Sequence, residues 1–325
     1  MSAAGCCDDV GWVESSRSEP WTGRDAADVA RGRVLAECVV NISEGRDPNV
    51  IGAVARAGTA VLLDVHSDPD HHRSVLTLGG RLDAVELGAR SVAAAAVAHI
   101  DLRTHTGVHP RLGALDVVPF VALPDRARPG PWQTDAWEAV VGARDSFARW
   151  AGAELGLPCF LYGPERSLPE VRRSAFASLQ PAAGPAAPHP TAGAAAVGAR
   201  PVLVAYNVWI TGRSGDGSGP PQAVSAARSV AAQVRGPGVR SLGLPVGPGA
   251  QVSLNLVDTA LAPLADVYDA VAAGVEALGC AVVRGELVGL CPADVVAAVP
   301  RHRWSELDLS EERTIEARLA ERHGS

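Results

Sequence analysis

The chain has 325 residues, 47% of them apolar, and a formal net charge of −7. This is enough apolar material for about two packed domains, and the mild acidity argues against a broad nucleic-acid face, which needs positive charge. All 29 basic residues are arginine, so lysine Schiff bases and phosphate-loop lysines are excluded. The six cysteines show no metal-type pair spacing, which fits a reduced, cytoplasmic protein with buried thiols. No stretch reaches the ~18 apolar residues of a membrane span, so no membrane partner is expected.

Residues 1–33 are polar and lack periodicity, which predicts a disordered tail. A strand is expected over 34–42, then a helix capped by Asp47 with Pro48 at its first position. Strands follow at 60–65 and 74–78. Leu82, Val85, Ala89, Val92 and Ala96 recur at helical spacing, predicting a helix over 81–98. A polar loop at 103–114 leads to a strand at 115–122, and the order β-α-β-β-α-β is that of a split βαβ unit. A helix near 135–155 and a strand at 159–162 extend this first subdomain, residues 34–180.

Residues 181–200 are rich in Ala, Pro and Gly and predict a linker. The second subdomain, 201–300, repeats the order. It has a strand at 201–210, a helix at 221–235, strands at 239–245 and 250–257, a helix at 264–278 and a strand at 280–288. A helical tail is expected over 301–325. The fold class is therefore α/β (α+β), two such sandwiches with a ligand cleft between them.

Chemistry-bearing residues concentrate in a few places. His109-Pro110-Arg111-Leu112-Gly113-Ala114-Leu115-Asp116 puts an imidazole, a guanidinium and a carboxylate in one loop at a strand end. Histidine can take and return a proton near neutral pH; the same spacing also suits a His capping a turn beside a surface Arg–Asp pair. His66-Ser67-Asp68-Pro69-Asp70-His71-His72-Arg73 carries three histidines and two aspartates between strands. It reads either as a metal site or as a solvated turn whose geometry Asp68-Pro69-Asp70 sets, with His66 or His72 functional without metal. His105, four residues before His109, reads as structural. Asn41, Glu44, Asn207, Asn255 and Glu286 could line the cleft; the asparagines could equally bond to backbone, and Glu286 could solvate an edge. Trp132, Trp137, Trp150 and Trp209 read as core residues. The Gly/Ser run 212–219 lacks a phosphate loop's Lys-Ser/Thr ending and reads as a flexible loop.

These motifs resemble the formiminotransferase family. Glu37-Cys38-Val39-Val40-Asn41-Ile42-Ser43-Glu44-Gly45-Arg46 is similar to the family's opening, which often reads E-C-V-P-N-F-S-E-G-R/K. His105-x-Gly107-x-His109-Pro110-Arg111-x-Gly113-Ala114-Leu115-Asp116 resembles its central motif. Leu161-Tyr162-Gly163, Gly198-Ala199-Arg200, Ala205-Tyr206-Asn207, Gln251-Val252-Ser253-x-Asn255 and Leu287-Val288-Gly289-Leu290 follow in the family's order. The resemblance runs from about residue 36 to 300.

The resemblance implies transfer of a formimino group from N-formiminoglutamate to tetrahydrofolate, a step of histidine degradation and one-carbon metabolism. It also implies a homodimer with folate held in the groove, small-molecule substrates, and no metal. It assigns the catalytic imidazole to His109, with His66 and Asp116 beside it. The implied substrate- and folate-binding set is Asn41, Glu44, His72, Arg73, Arg111, Gly113, Asn207, Asn255 and Glu286, the two arginines gripping carboxylates. The chain departs from the family at His66 (usually an aspartate), His72 (asparagine), Leu254 (threonine), Glu286 (glutamine) and Ala192–Val197 (W-G-A-T-A-T). Two alternatives follow: a non-catalytic or re-specialised paralogue that binds folate or another anionic metabolite, and a metal-dependent hydrolase using His66, Asp68, His71 and His72.

Overall fold

The structure, a computed structural model, describes residues 33–124, 132–212 and 220–323. The tail before residue 33 and most of the Gly/Ser run lie outside the described residues. In chain order the first half runs β1 (Leu35–Ile42), α1 (Pro48–Ala57), β2 (Leu62–Asp68), β3 (Arg73–Arg81), α2 (Leu82–His99), β4 (Leu115–Ala122), α3 (Trp132–Glu154), β5 (Cys159–Tyr162), α4 (Leu168–Ser174) and β6 (Ala195–Ala199). The second half runs β7 (Val204–Gly212), α5 (Pro220–Gln233), β8 (Val239–Val246), β9 (Gly249–Leu256), α6 (Leu264–Ala277), β10 (Cys280–Leu287), α7 (Ala293–Ala297) and α8 (Ile315–His323).

Two sheets organise these elements. The first has the order β2-β3-β1-β4-β6-β5, the second β10-β7-β9-β8. Four strands of the first, β4-β1-β3-β2, pair antiparallel in the split βαβ order, and all of the second does the same. Alternation explains the core: Ala36, Cys38, Val40 and Ile42 of β1 and Leu76 and Leu78 of β3 point to one side and pack against Val85, Val92 and Ala96 of α2 and Val140 and Phe147 of α3. In the second half Tyr206, Val208, Ile210, Val252 and Leu254 pack against Ala227 and Val230 of α5 and Val271 and Val275 of α6. Both sheets thus leave their opposite faces for other work. Asp47 caps α1, accepting from Asn49 N at 2.8 Å, with Pro48 at the first helical position.

One segment departs from expectation. The stretch 181–200 ends in β6, not in a connecting tether. Ala195–Ala199 pair parallel with both β4 and β5 and are wholly buried. Their small side chains read as linker, yet they let neighbours close in: a Cβ on Gly198 would collide with the Tyr162 ring. The C-terminal segment is helical but docked, because Ile315 and Leu319 of α8 pack with Leu123 and Leu290, against Leu35 and Leu63 of the first half. Arg322 reinforces this by donating to Thr59 O at 2.6 Å. Among the described residues, Cys38, Cys159, Cys280 and Cys291 are buried and form no disulfide, and no helix is long and apolar enough to cross a membrane.

Candidate active site

The site forms on the sheet faces turned from α2 and α3 and from α5 and α6. Register pairs Arg73 with Asp68, Val75 with both His66 and Asn41, and Thr77 with Asp64 and Val39, so these side chains share the face turned from α2 and α3. In the second sheet Asn207 pairs with Glu286 and Ser253, and Trp209 with Arg284 and Gln251, again on the face away from α5 and α6. His66 and Glu286 bring the two faces within reach: His66 Nε2 lies 3.9 Å from Glu286 Oε1.

His109 sits in the loop before β4, its ring half-buried. Its Nδ1 is 2.7 Å from Pro110 O and 2.7 Å from Arg73 Nη1. Burial, then the Arg73 charge, holds its pKa well below the ordinary histidine value, so the ring is neutral at pH 7. Beneath it is a buried ionic framework. Arg73 Nη1 donates to Asp116 Oδ2 at 2.8 Å, and Arg172 Nη2 donates to the same oxygen at 2.7 Å. Leu112 N donates to Asp116 Oδ1 at 2.6 Å. Burial alone would raise the Asp116 pKa, but Arg73 and Arg172 outweigh it and hold the carboxyl below its usual value. Arg73 Nε and Nη2 both donate to Asn41 Oδ1, at 2.9 and 2.6 Å.

A second network fixes the loop's flank. Arg111 donates to Gly107 O at 2.6 Å, to His109 O at 2.8 Å and to His105 Nδ1. His105 Nδ1 is thereby an acceptor, so Nε2 carries its proton and faces His72 O at 3.0 Å and His72 Nδ1. His72 Nε2 in turn faces Glu44 Oε1 at 3.4 Å. The chain of donors runs one way, from Arg111 through two neutral imidazoles to a carboxylate. Burial lowers the pKa of both His72 and His105, which fits. His72 pays in backbone conformation, with φ of 50°.

Several expected roles change. Asp116 is fully buried, and its oxygens accept from Arg73, Arg172 and Leu112 N. Arg73 and Arg111 direct their donors at protein acceptors and build the His109 loop. Asn41 and Glu44 serve the same framework, Glu44 also accepting from Arg46 N and Asp47 N. Gly113 is a packing glycine: it is buried, and a Cβ there would strike Ala194 O. Asn207 is buried and donates to Glu286 Oε2 at 3.0 Å. Asn255 is exposed and is not drawn into these networks. Ala192–Val197, the other departing segment, is buried strand and approach to strand instead of cleft wall.

Sequence reasoning missed four participants. Arg172 of α4 completes the Asp116 pair, and nothing in its local sequence distinguishes it from Arg173. Trp209 is no core residue: its Nε1 donates to Glu286 Oε2 at 2.8 Å and Arg284 stacks on its ring at 4.5 Å. Trp137 and Trp150 do pack against the core, and the Trp132 side chain lies outside the described residues. Gln251 also reaches Glu286 Oε2, at 3.4 Å. His71, buried, places its ring 5.7 Å from that of His109 and its Nδ1 3.6 Å from Asp68 Oδ2. Alternating polar residues on strands β7, β9 and β10 were the available signal for the second-sheet group. The metal reading of the 66–73 turn finds no support: among the described residues, no three His, Cys, Asp or Glu side chains gather as a metal site.

Comparison with known proteins decides the family. The Formiminotransferase domain, N-terminal subdomain, matches residues 35–200, and the Formiminotransferase domain matches 205–321. The chain belongs to the formiminotransferase family. Glutamate formimidoyltransferase of Streptococcus pyogenes serotype M1 is 32% identical over 294 residues, covering 82% of this chain and 92% of that protein. Its namesake from Thermoplasma acidophilum is 33% identical over 300 residues, covering 82% and 91%. Formimidoyltransferase-cyclodeaminase of Sus scrofa is 36% identical over 286 residues, covering 79% of this chain and 50% of the relative. The chain thus spans about half the length of the cyclodeaminase relatives it matches. The boundary between the two matches falls just after β6, which puts β6 with the first subdomain.

Proposed function

We propose that this formiminotransferase moves a formimino group from N-formiminoglutamate to tetrahydrofolate, with His109 as general base and then general acid. The observation that supports it most is the setting of the His109 ring: half-buried, neutral at pH 7, and with Nδ1 against Pro110 O and beside the Arg73 guanidinium.

The chemistry follows from that setting. N5 of the folate attacks the amidine carbon and forms a new N–C bond while losing its proton. The bond from that carbon to the glutamate nitrogen then breaks, and that nitrogen gains a proton. Nδ1 cannot both donate to Pro110 O and accept from Arg73. In the tautomer that donates Nδ1–H to Pro110 O, the Nε2 lone pair takes the first proton and returns it as the second, and Arg73 acts through its charge. Arg73 beside Nδ1 makes the imidazolium short-lived, which favours its return as an acid. Such a group contributes about 10²–10⁴-fold. Arg73, Asn41, Asp116, Arg172 and Arg111 fix the ring without touching the reactants, which is preorganisation by supporting contacts. Purified protein given both substrates should release glutamate in step with modified folate. Folate binding with no glutamate released would contradict this reading and support the non-catalytic alternative.

A further inference from the structure

Formimino and formyl donors differ in one respect that a protein can read. The formimino group is an amidine, cationic at neutral pH and rich in N–H donors, whereas a formyl group is neutral and presents an oxygen acceptor. Discrimination therefore needs a carboxylate and acceptors facing the cleft. Asp116 cannot provide this, being wholly buried between two arginines. Glu44 accepts from Arg46 N and Asp47 N and faces His72, which ties it to the β1–α1 turn.

Glu286 has the right form. Its Oε2 is anchored by three donors of the second sheet, Asn207 at 3.0 Å, Trp209 at 2.8 Å and Gln251 at 3.4 Å. Its Oε1 is the oxygen that faces the first half, 3.9 Å from His66 Nε2 and 3.2 Å from the half-exposed Arg284. Two neighbours carry unmet acceptor capacity. Gln251 is 0% exposed, and its Oε1 has no hydrogen-bond partner. His71 is 7% exposed, with Nδ1 turned to Asp68 and Nε2 buried and without a partner. A proton on Nδ1 makes that Nε2 an acceptor. Glu286 lies near enough to act electrostatically on His71, which itself stands beside His109. Buried acceptors left unpaired are costly, and a ligand bearing only donors relieves that cost.

We propose that Glu286, with Gln251 and His71, recognises the cationic formimino group and makes the site selective for amidine donors over formyl donors. The proposal rests on the transfer reading above and goes further by naming the residues that select the donor.

Calorimetric titration of the folate-free protein with N-formiminoglutamate and N-formylglutamate tests it. The wild type should bind the formimino ligand at least ~10-fold tighter, the ratio a charge-assisted hydrogen bond supplies. Glu286→Gln, which keeps an acceptor for Asn207 and Trp209, should abolish that ratio, moving the formyl Kd by less than about threefold. Gln251→Met, which is near in volume, should reduce the ratio in the same direction; thermal unfolding checks that both variants fold. Equal binding of the two ligands by the wild type, equal weakening of both by Glu286→Gln, or binding of neither overturns the proposal. A protein that shows the preference but transfers nothing contradicts only the transfer reading. One that transfers without the preference contradicts only this inference.

Discussion

Arg73 Nη1 stands between Asp116 Oδ2, at 2.8 Å, and His109 Nδ1, at 2.7 Å. The imidazole is therefore set beside a guanidinium whose charge a buried carboxylate balances. The pair also ties two strands together, because Asp116 lies at the start of the central strand β4 while Arg73 opens β3.

Removing that carboxylate should be felt first as lost stability. Asp116→Asn leaves Arg73 and Arg172 with one neutral acceptor in a fully buried place, and breaking a buried pair on one side costs about 3–5 kcal/mol. Chemical denaturation should show a loss of that size; a change below about 1 kcal/mol would mean that the arginines find other partners.

Arg172 should be visible in the pH dependence of the rate. Its charge adds to burial and Arg73 in lowering the His109 pKa. In Arg172→Gln the imidazolium is favoured, so the acidic limb of kcat/KM, where the base is lost, should move to higher pH. The wild-type limb should fall below the ordinary histidine value. A limb that stays put in the variant would separate Arg172 from the titrating group.

Much of this organisation is legible in the chain. Apolar runs such as 115–122, the spacing of Leu82, Val85, Ala89 and Val92, and the Asp47-Pro48 cap lead to the observed elements because local preference and tertiary packing agree there. β6 is not legible, because Ala195-Ala196-Val197-Gly198-Ala199 has little strand preference and owes its place to a slot between β4 and β5. The prominence of His109 is readable from its motif, but the partners of Asp116 and Arg73 are not. Arg172 is 56 residues from Asp116, and only folding shows that Arg73 turns inward to Asp116. The same holds for His66 and Glu286, which are neighbours only because two sheets face each other.

That neighbourhood carries its own test. His66→Asp would set a second carboxylate near Glu286 Oε1, and the like charges should lower stability. Glu286→Gln in the same chain should recover the loss, with a coupling energy of about 0.5–3 kcal/mol in a double-mutant cycle. Additive effects would show that the two side chains do not meet in solution.

Glu37 offers a prediction at a distance from the chemistry. It is buried on β1, and burial raises its carboxyl pKa from 4.5 to about 7, against the opposing Arg200 charge. A raised folded-state pKa stabilises the fold fully below 4.5, and that stability is lost as pH rises through about 7. The shift corresponds to about 3 kcal/mol. Glu37→Gln should flatten the stability profile between these values and be the more stable protein at pH 8. An unchanged slope would contradict the assignment.

The account turns on the His109 ring as the group that moves the proton. The most direct measurement is kcat/KM of His109→Ala against the wild type for formimino transfer to tetrahydrofolate, alongside folate Kd and Tm. A loss of at least ~100-fold with both binding and folding preserved is the predicted result. A variant within a few-fold of wild type would contradict the mechanism, whatever else the cleft binds.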